Sequence, residues 1–308
     1  GVIRAYSPLW QIDFGGWRVF AAVKHACEVA REELQAGIEF IARDDHHEGR
    51  RGIARRIASL KVRLSPFDRF GLIRPRVFYN MTVEFGRVLA GDTERADKHF
   101  DFLTTGSEKP DLTALLGRQL VRAETGRREV FAQGRVPEFL TQPPGHVKLA
   151  LEAVVCLRAG KAADAAAKLA ESESLRPVVS GTFNGKAFSG LRDLDDVTAG
   201  VFEVFTSNGN YYWVPFEAVE LVECRPPSRP KDLLWRSCHL IVKDGPDGEV
   251  YLPALYPGTH TATDDQLRVG RGTSYTATAP VRGTGLRELL IGDDVRTLME
   301  VETIVFAG

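Results

Sequence analysis

An α+β fold is predicted, with helical hairpins first and an antiparallel β-rich domain after them, on three observations. Two segments repeat at an offset of 69 residues with apolar side chains three and four apart. Beyond Pro177 the apolar period shortens, and turn signals appear at Asn184-Gly185, Asn208-Gly209 and Gly292-Asp293-Asp294. The stretch from Ser207 to Trp235 gathers Tyr211, Tyr212, Trp213, Phe216 and Trp235 around a turn, two strands and a proline-stiffened arm.

Residues 1–75 open with an aromatic patch, Trp10, Phe14, Trp17 and Phe20. From Phe20, the series Val23, Cys27, Ala30, Leu34, Ile38 and Ile41 steps as one helix face, and Ile53, Ile57, Leu60 and Leu64 mark a second. The segment holds thirteen Lys and Arg against nine Asp and Glu, a mildly basic balance that reads as a solvated helix face. It is either an extension or a divergent start of the helical domain.

The helical-repeat domain is assigned to 76–176. VEFGRVLAGDTERADKHFDFL, from Val83, aligns with EAVVCLRAGKAADAAAKLAES, from Glu152. Gly91 then matches Gly160, Ala96 matches Ala165, and Phe100 matches Leu169. The offset is close to twice the ~34-residue period of tetratricopeptide helix pairs. Glycine can end one helix, and a small alanine lets the next cross it closely. Between the copies, Leu112, Leu115, Leu116, Gln119, Leu120 and Ala123 mark another helix. A single pair cannot bury its apolar face alone, so the domain is expected to be a short stack.

The β-rich domain is assigned to 178–308. GTFNGKAF reads as a hairpin. Val197, Val201, Val204 and Phe205 space as a short helix, capped at its start by the aspartates of Asp193-Leu194-Asp195-Asp196. Strands follow the Asn208-Gly209 turn and run from Ala218 to Cys224; HLIVK and EVYLPAL flank DGPDG, and LRELLI and TLMEVETIVF form a last hairpin.

At 308 residues, two domains of the usual size fit the chain. A net charge of −1 gives no electrostatic case for nucleic acid or an anionic membrane. No apolar run approaches the ~20 residues of a membrane helix, and no signal-peptide pattern is visible. Cys27, Cys156, Cys224 and Cys238 lie far apart without a CxxC, so reduced, buried thiols are expected.

Candidate chemistry is sparse. Asp44-Asp45-His46-His47-Glu48 is the most metal-like cluster, but adjacent histidines do not share a helix face, and a polar turn is the expected use. Asp193-Leu194-Asp195-Asp196 lacks the alternating ligands and central glycine of a calcium loop. His239 beside Cys238, and His260 near Asp264 and Asp265, carry no nucleophile elbow or cysteine signature. In a strand, Cys238 and His239 would point to opposite faces. Gly270, Gly272, Gly283 and Gly285 read as bends rather than a phosphate loop. No metal or cofactor is expected. A hydrolase using His239 or His260 with Asp264, and a repeat scaffold of an unrelated complex, are the alternatives to a non-enzymatic interaction module.

The blocks NGNYYWVPFE, RPPSRPKDLLWR and DGPDGEVYLPALYPG, in this order, resemble the TagJ/ImpE family of type VI secretion accessory proteins. The likeness runs from about Arg76 to the C-terminus. It implies a bacterial cytoplasmic protein that binds the small subunit of the contractile sheath through that subunit's N-terminal helix. By that contact it would influence sheath handling by the ClpV ATPase. The family brings no catalytic residues. Helix-in-groove recognition through Phe85, Phe100 and Leu169 of the repeats, or Tyr211 and Trp213 of the aromatic stretch, is the expected mode.

Overall fold

Both copies of the repeat fold as helix, glycine, helix. In the first, helical residues 85–89 end at Gly91 (φ +87°), and α1 (Thr93–Thr105) follows. After α2 (Leu112–Ala132), the second copy is α3 (Gly145–Arg158), Gly160 (φ +71°) and α4 (Ala162–Leu175). The left-handed turn is the reason both positions are glycine. The aligned pairs Ala96/Ala165 and Phe100/Leu169 are buried in both copies. The computed structural model describes residues 85–105, 112–228 and 230–307.

Helix α2 crosses α1 closely because Gly117 leaves room for Phe100. A Cβ there would meet the ring at 2.8 Å. Arg118 ties the pair from outside through Asp97 at 3.0 Å and Asp101.

The chain then becomes β, apart from short helical turns. Thirteen strands are present among the described residues: β1 (Ser180–Phe183), β2 (Lys186–Ser189), β3 (Leu191–Asp193), β4 (Val201–Thr206), β5 (Tyr211–Pro215), β6 (Val219–Cys224), β7 (Trp235–Val242), β8 (Asp247–Pro253), β9 (Thr273–Tyr275), β10 (Gly283–Gly285), β11 (Glu288–Ile291), β12 (Asp294–Thr297) and β13 (Thr303–Phe306). Eight form one sheet in the order β2-β1-β13-β6-β7-β8-β4-β5; β12-β11-β3 and β10-β9 form two smaller ones. All these pairings are antiparallel. The class is therefore mixed helix and antiparallel sheet.

The main sheet separates two cores. On the helix side, Val201, Phe205, Tyr211, Trp213, Trp235 and Tyr251 pack with Phe100, Leu120, Val121, Val130 and Val147 of the helices. On the far side, Phe202, Val204, Val222, Leu240, Leu252 and Ile304 pack against Leu191, Leu289 and Ile291 of the small sheet. Alternation along each strand sends neighbours to opposite cores.

Two readings are corrected. Val201, Val204 and Phe205 lie in strand β4, not a helix; only Asp196–Thr198 makes a 3₁₀ turn, capped by Asp195 accepting from the Val197 N–H at 2.9 Å. TLMEVETIVF is not one strand. It breaks at the 3₁₀ turn Leu298–Glu300, so that β12 pairs β11 while β13 leaves to lie between β1 and β6.

At the end of the main sheet, residues after α2 run beside β5. The Glu138 N–H donates to Tyr211 O at 2.9 Å, and its carbonyl accepts from the Trp213 N–H at 3.1 Å, a single parallel bridge.

Candidate functional site

The residues expected to meet a partner are all interior. Phe85, Phe100, Leu169, Tyr211 and Trp213 are each at most 5% exposed. Phe85 packs edge-on to Trp235, with ring centroids 5.7 Å apart, and Trp213 lies 6.3 Å from Phe131. As they stand, these side chains join helices to sheet and offer no surface to a second protein. Aromatic density here marks core, because large rings contribute most when fully buried.

Beneath them lies a buried ionic network that sequence reading missed. Arg127 of α2 donates Nε and Nη2 to the two carboxylate oxygens of Glu203 on β4, both at 2.8 Å, and Nη2 also donates to Leu255 O at 2.8 Å. Arg287, just before β11, donates to Glu203 and to Asp193. Asp193 further accepts from the Tyr256 hydroxyl at 2.9 Å and from the Asp195 N–H at 2.9 Å. Asp195 in turn accepts from Arg282 Nε at 2.8 and 3.0 Å. Trp213 Nε1 donates to the Tyr211 hydroxyl, which donates to Glu203.

Burial works to raise the Glu203 carboxyl, but Arg127 and Arg287 together bring it down to about 2. Burial pushes Asp193 up to about 6, against the pull of Arg287 and with the Asp195 charge adding to the rise. The carboxylates spend their lone pairs on internal donors. The adjoining void, about 10 Å³ beside Asp193, Glu203 and Arg287, is the size of one water. Such a network can fix the angle between α2 and the sheet, and it leaves no room for a substrate. Its arginine–carboxylate pairs stand 76 to 94 residues apart in sequence, so no local pattern could reveal them.

The suggested hydrolase groups do not converge. His239, on the exposed side of β7, meets Asp247 at 2.8 Å. The His260 ring covers Gly91, where a Cβ would stand 2.7 Å from Cδ2. Burial and nearby Arg128 hold His260 below its ordinary value, which favours the neutral imidazole. Asp264 is occupied as a helix cap, accepting from the Gln266 N–H at 2.8 Å. A cleft of about 30 Å³ between Val88, Arg128, Trp235 and His260 has space for one or two waters.

The expectation of reduced thiols is overturned for one pair. Cys224 and Cys238 form a disulfide between β6 and β7, with Cα atoms 4.0 Å apart. The Arg225 N–H donates to Ser237 O, so the preceding register pair, Cys224↔Cys238, is a non-hydrogen-bonded one, where side chains approach most closely. Cys156 is free. Among the described residues no group of three or more His, Cys, Asp or Glu is placed to hold a metal ion. The His46-His47 cluster, Cys27 and the helices read from residues 1–75 lie outside the described residues. No helix among the described residues is long and apolar enough to cross a membrane.

Strands β2 to β13 nearly coincide with one known family. Residues 185–305 match the ImpE protein family. The resemblance to TagJ/ImpE proteins is borne out over this region. The type VI secretion system accessory component TagJ of Pseudomonas aeruginosa is 32% identical over 155 residues, 50% of this chain and 55% of that protein. The chain thus spans about half the length of the curated relative it matches. The crystal structure of protein VPA1032 from Vibrio parahaemolyticus superposes with a TM-score of 0.65, covering 74% of this chain and 85% of that one. At 22% identity that likeness speaks to fold. The ImpE region holds Asp193, Glu203, Arg282 and Arg287, whereas Arg127 lies outside it, so the ionic network joins the ImpE strands to the preceding helices.

Proposed function

We propose that this chain is a non-enzymatic accessory component of a bacterial type VI secretion system. It binds the small sheath subunit through that subunit's N-terminal helix and thereby influences sheath handling by the ClpV ATPase, in the cytoplasm. The observation that carries the reading is the ImpE match together with its TagJ relative. The scattered positions of His239, His260 and Asp264 support an interaction role over a hydrolase, which needs nucleophile and base in one cleft. The proposal keeps a tetratricopeptide-like domain over 76–176, a β-rich domain over 178–308 and, over 1–75, a helical extension or divergent start of the helical domain. A pull-down against the sheath small subunit, with and without its first helix, tests it. Capture that depends on the helix is expected; no binding to any sheath component would remove the assignment. Affinity should fall by less than about tenfold between about 50 and about 500 mM salt if apolar anchors dominate.

A further inference from the structure

Among the described residues, none packs over one half of the main sheet's helix-side face as the helices do over the other. The helices cover the β8-β4-β5 end through Tyr251, Phe205, Tyr211 and Trp213. On β13, β6 and β7, residues facing the far core are buried, while the alternate ones, Val305, Leu221 and Ile241, are not. Register places these three side by side: Val305 opposes Leu221, and Leu221 opposes Ile241. Val305 is 41% exposed. Leu221 sits between Glu220 and Glu223 in sequence, exposed carboxylates with no ionic partner among the described residues. Asp247 and Glu249 line the next strand and are paired, among the described residues, with His239 and Arg225.

We propose that this strip seats one amphipathic helix of a partner protein whose apolar stripe is flanked by lysine or arginine; the proposal rests on the partner-binding reading above and assigns its surface. Three strands about 4.8 Å apart give a floor about 10 Å between outer axes, the width of one helix. The apolar row anchors the stripe. The unpaired Glu220 and Glu223 select basic flanks and disfavour a second copy of this chain, which would oppose like charges across a two-fold axis.

The test uses the full chain and two probes. The first is the purified sheath small subunit; the second is a designed helical peptide with a leucine stripe and lysine flanks, alongside a glutamate-flanked counterpart. Leu221→Lys with Val305→Lys should weaken both the subunit and the lysine peptide by at least about tenfold. Ala167→Lys, on the exposed side of α4, should leave both unchanged. Should the double variant lose its near-ultraviolet tryptophan signal, Glu220→Lys with Glu223→Lys serves instead, at exposed positions. If the subunit binds wild type and variants equally, this surface is wrong while the functional reading stands. If only the lysine peptide binds in a variant-dependent way, the surface stands and the sheath assignment fails. Equal binding of the lysine and glutamate peptides, or a wild-type dimer that the double variant dissolves, overturns the proposal.

Discussion

The two cores on either side of the main sheet are held by different chemistry. The helix-side core combines Trp213 and Trp235 with a buried network of Arg127, Glu203, Arg287 and Asp193. The far-side core is largely apolar, with the Cys224–Cys238 disulfide between two neighbouring strands on its wall and the buried Arg236 beside them. Ion pairs impose direction, because a bidentate guanidinium accepts one carboxylate geometry. Apolar packing only requires shape and volume. The side that docks separate helices at a set angle carries the paired charges of Arg127 and Glu203, whereas on the far side the buried Arg236 donates to a backbone carbonyl, Val301 O, at 3.0 Å.

Glu203 and Val204 are adjacent on β4 and point to opposite cores, which makes them the sharpest comparison. Glu203→Gln leaves two buried arginines short of counter-charge and should cost about 3–5 kcal/mol in denaturant unfolding. Equal loss in Glu203→Gln and Val204→Ala would show that the network contributes no more than packing. Removing the disulfide by Cys224→Ala with Cys238→Ala should cost about 3 kcal/mol under oxidising conditions, given a sequence separation of 14. Thiol titration of denatured protein without reductant should find the Cys224–Cys238 pair unreactive until reductant is added. Val204→Ala removes two buried methyl groups and should cost about 2 kcal/mol.

Acid titration separates the two carboxylates of the network. Glu203 is held below its unfolded value, so its contribution is complete above about 4.5 and disappears as pH falls towards about 2. Asp193 is raised to about 6, so its contribution is present below about 3.8 and is lost as pH rises through about 6. Melting temperatures from pH 3 to 8 should lose the upper slope in Asp193→Asn and the lower one in Glu203→Gln. A wild-type profile unchanged in both variants would count against the assignment. The smallest effect is expected from deleting residues 1 to about 70, which should leave the near-ultraviolet signals of Trp213 and Trp235 in place.

Local signals in the sequence were sound where geometry is local. Asn184 and Gly185 adopt φ of 47° and 80° in the β1–β2 turn, and the β7–β8 hairpin closes over DGPDG. The paired glycines Gly91 and Gly160 end helices as the repeat requires. Strand β4 misleads because it is buried on both faces from Val201 to Phe205. Alternation is then absent, and Val201, Val204 and Phe205 mimic a helix stripe. The ionic network was invisible because its partners meet only after the sheet has formed. Cys224 and Cys238 became partners through register, which spacing alone cannot supply.

The single bridge made by Glu138 has a wider consequence. Strand β5 ends the sheet, and an uncovered terminal strand templates further strands from other chains. Here Glu138, in the segment after α2, takes up the Tyr211 carbonyl and Trp213 amide, and the residue before it, Pro137, has no N–H to offer. Growth of a fibre from that margin is blocked by one residue's hydrogen bonds and its neighbour's ring. Assembly with other proteins at this end of the molecule is thereby turned from backbone addition towards contacts between side chains.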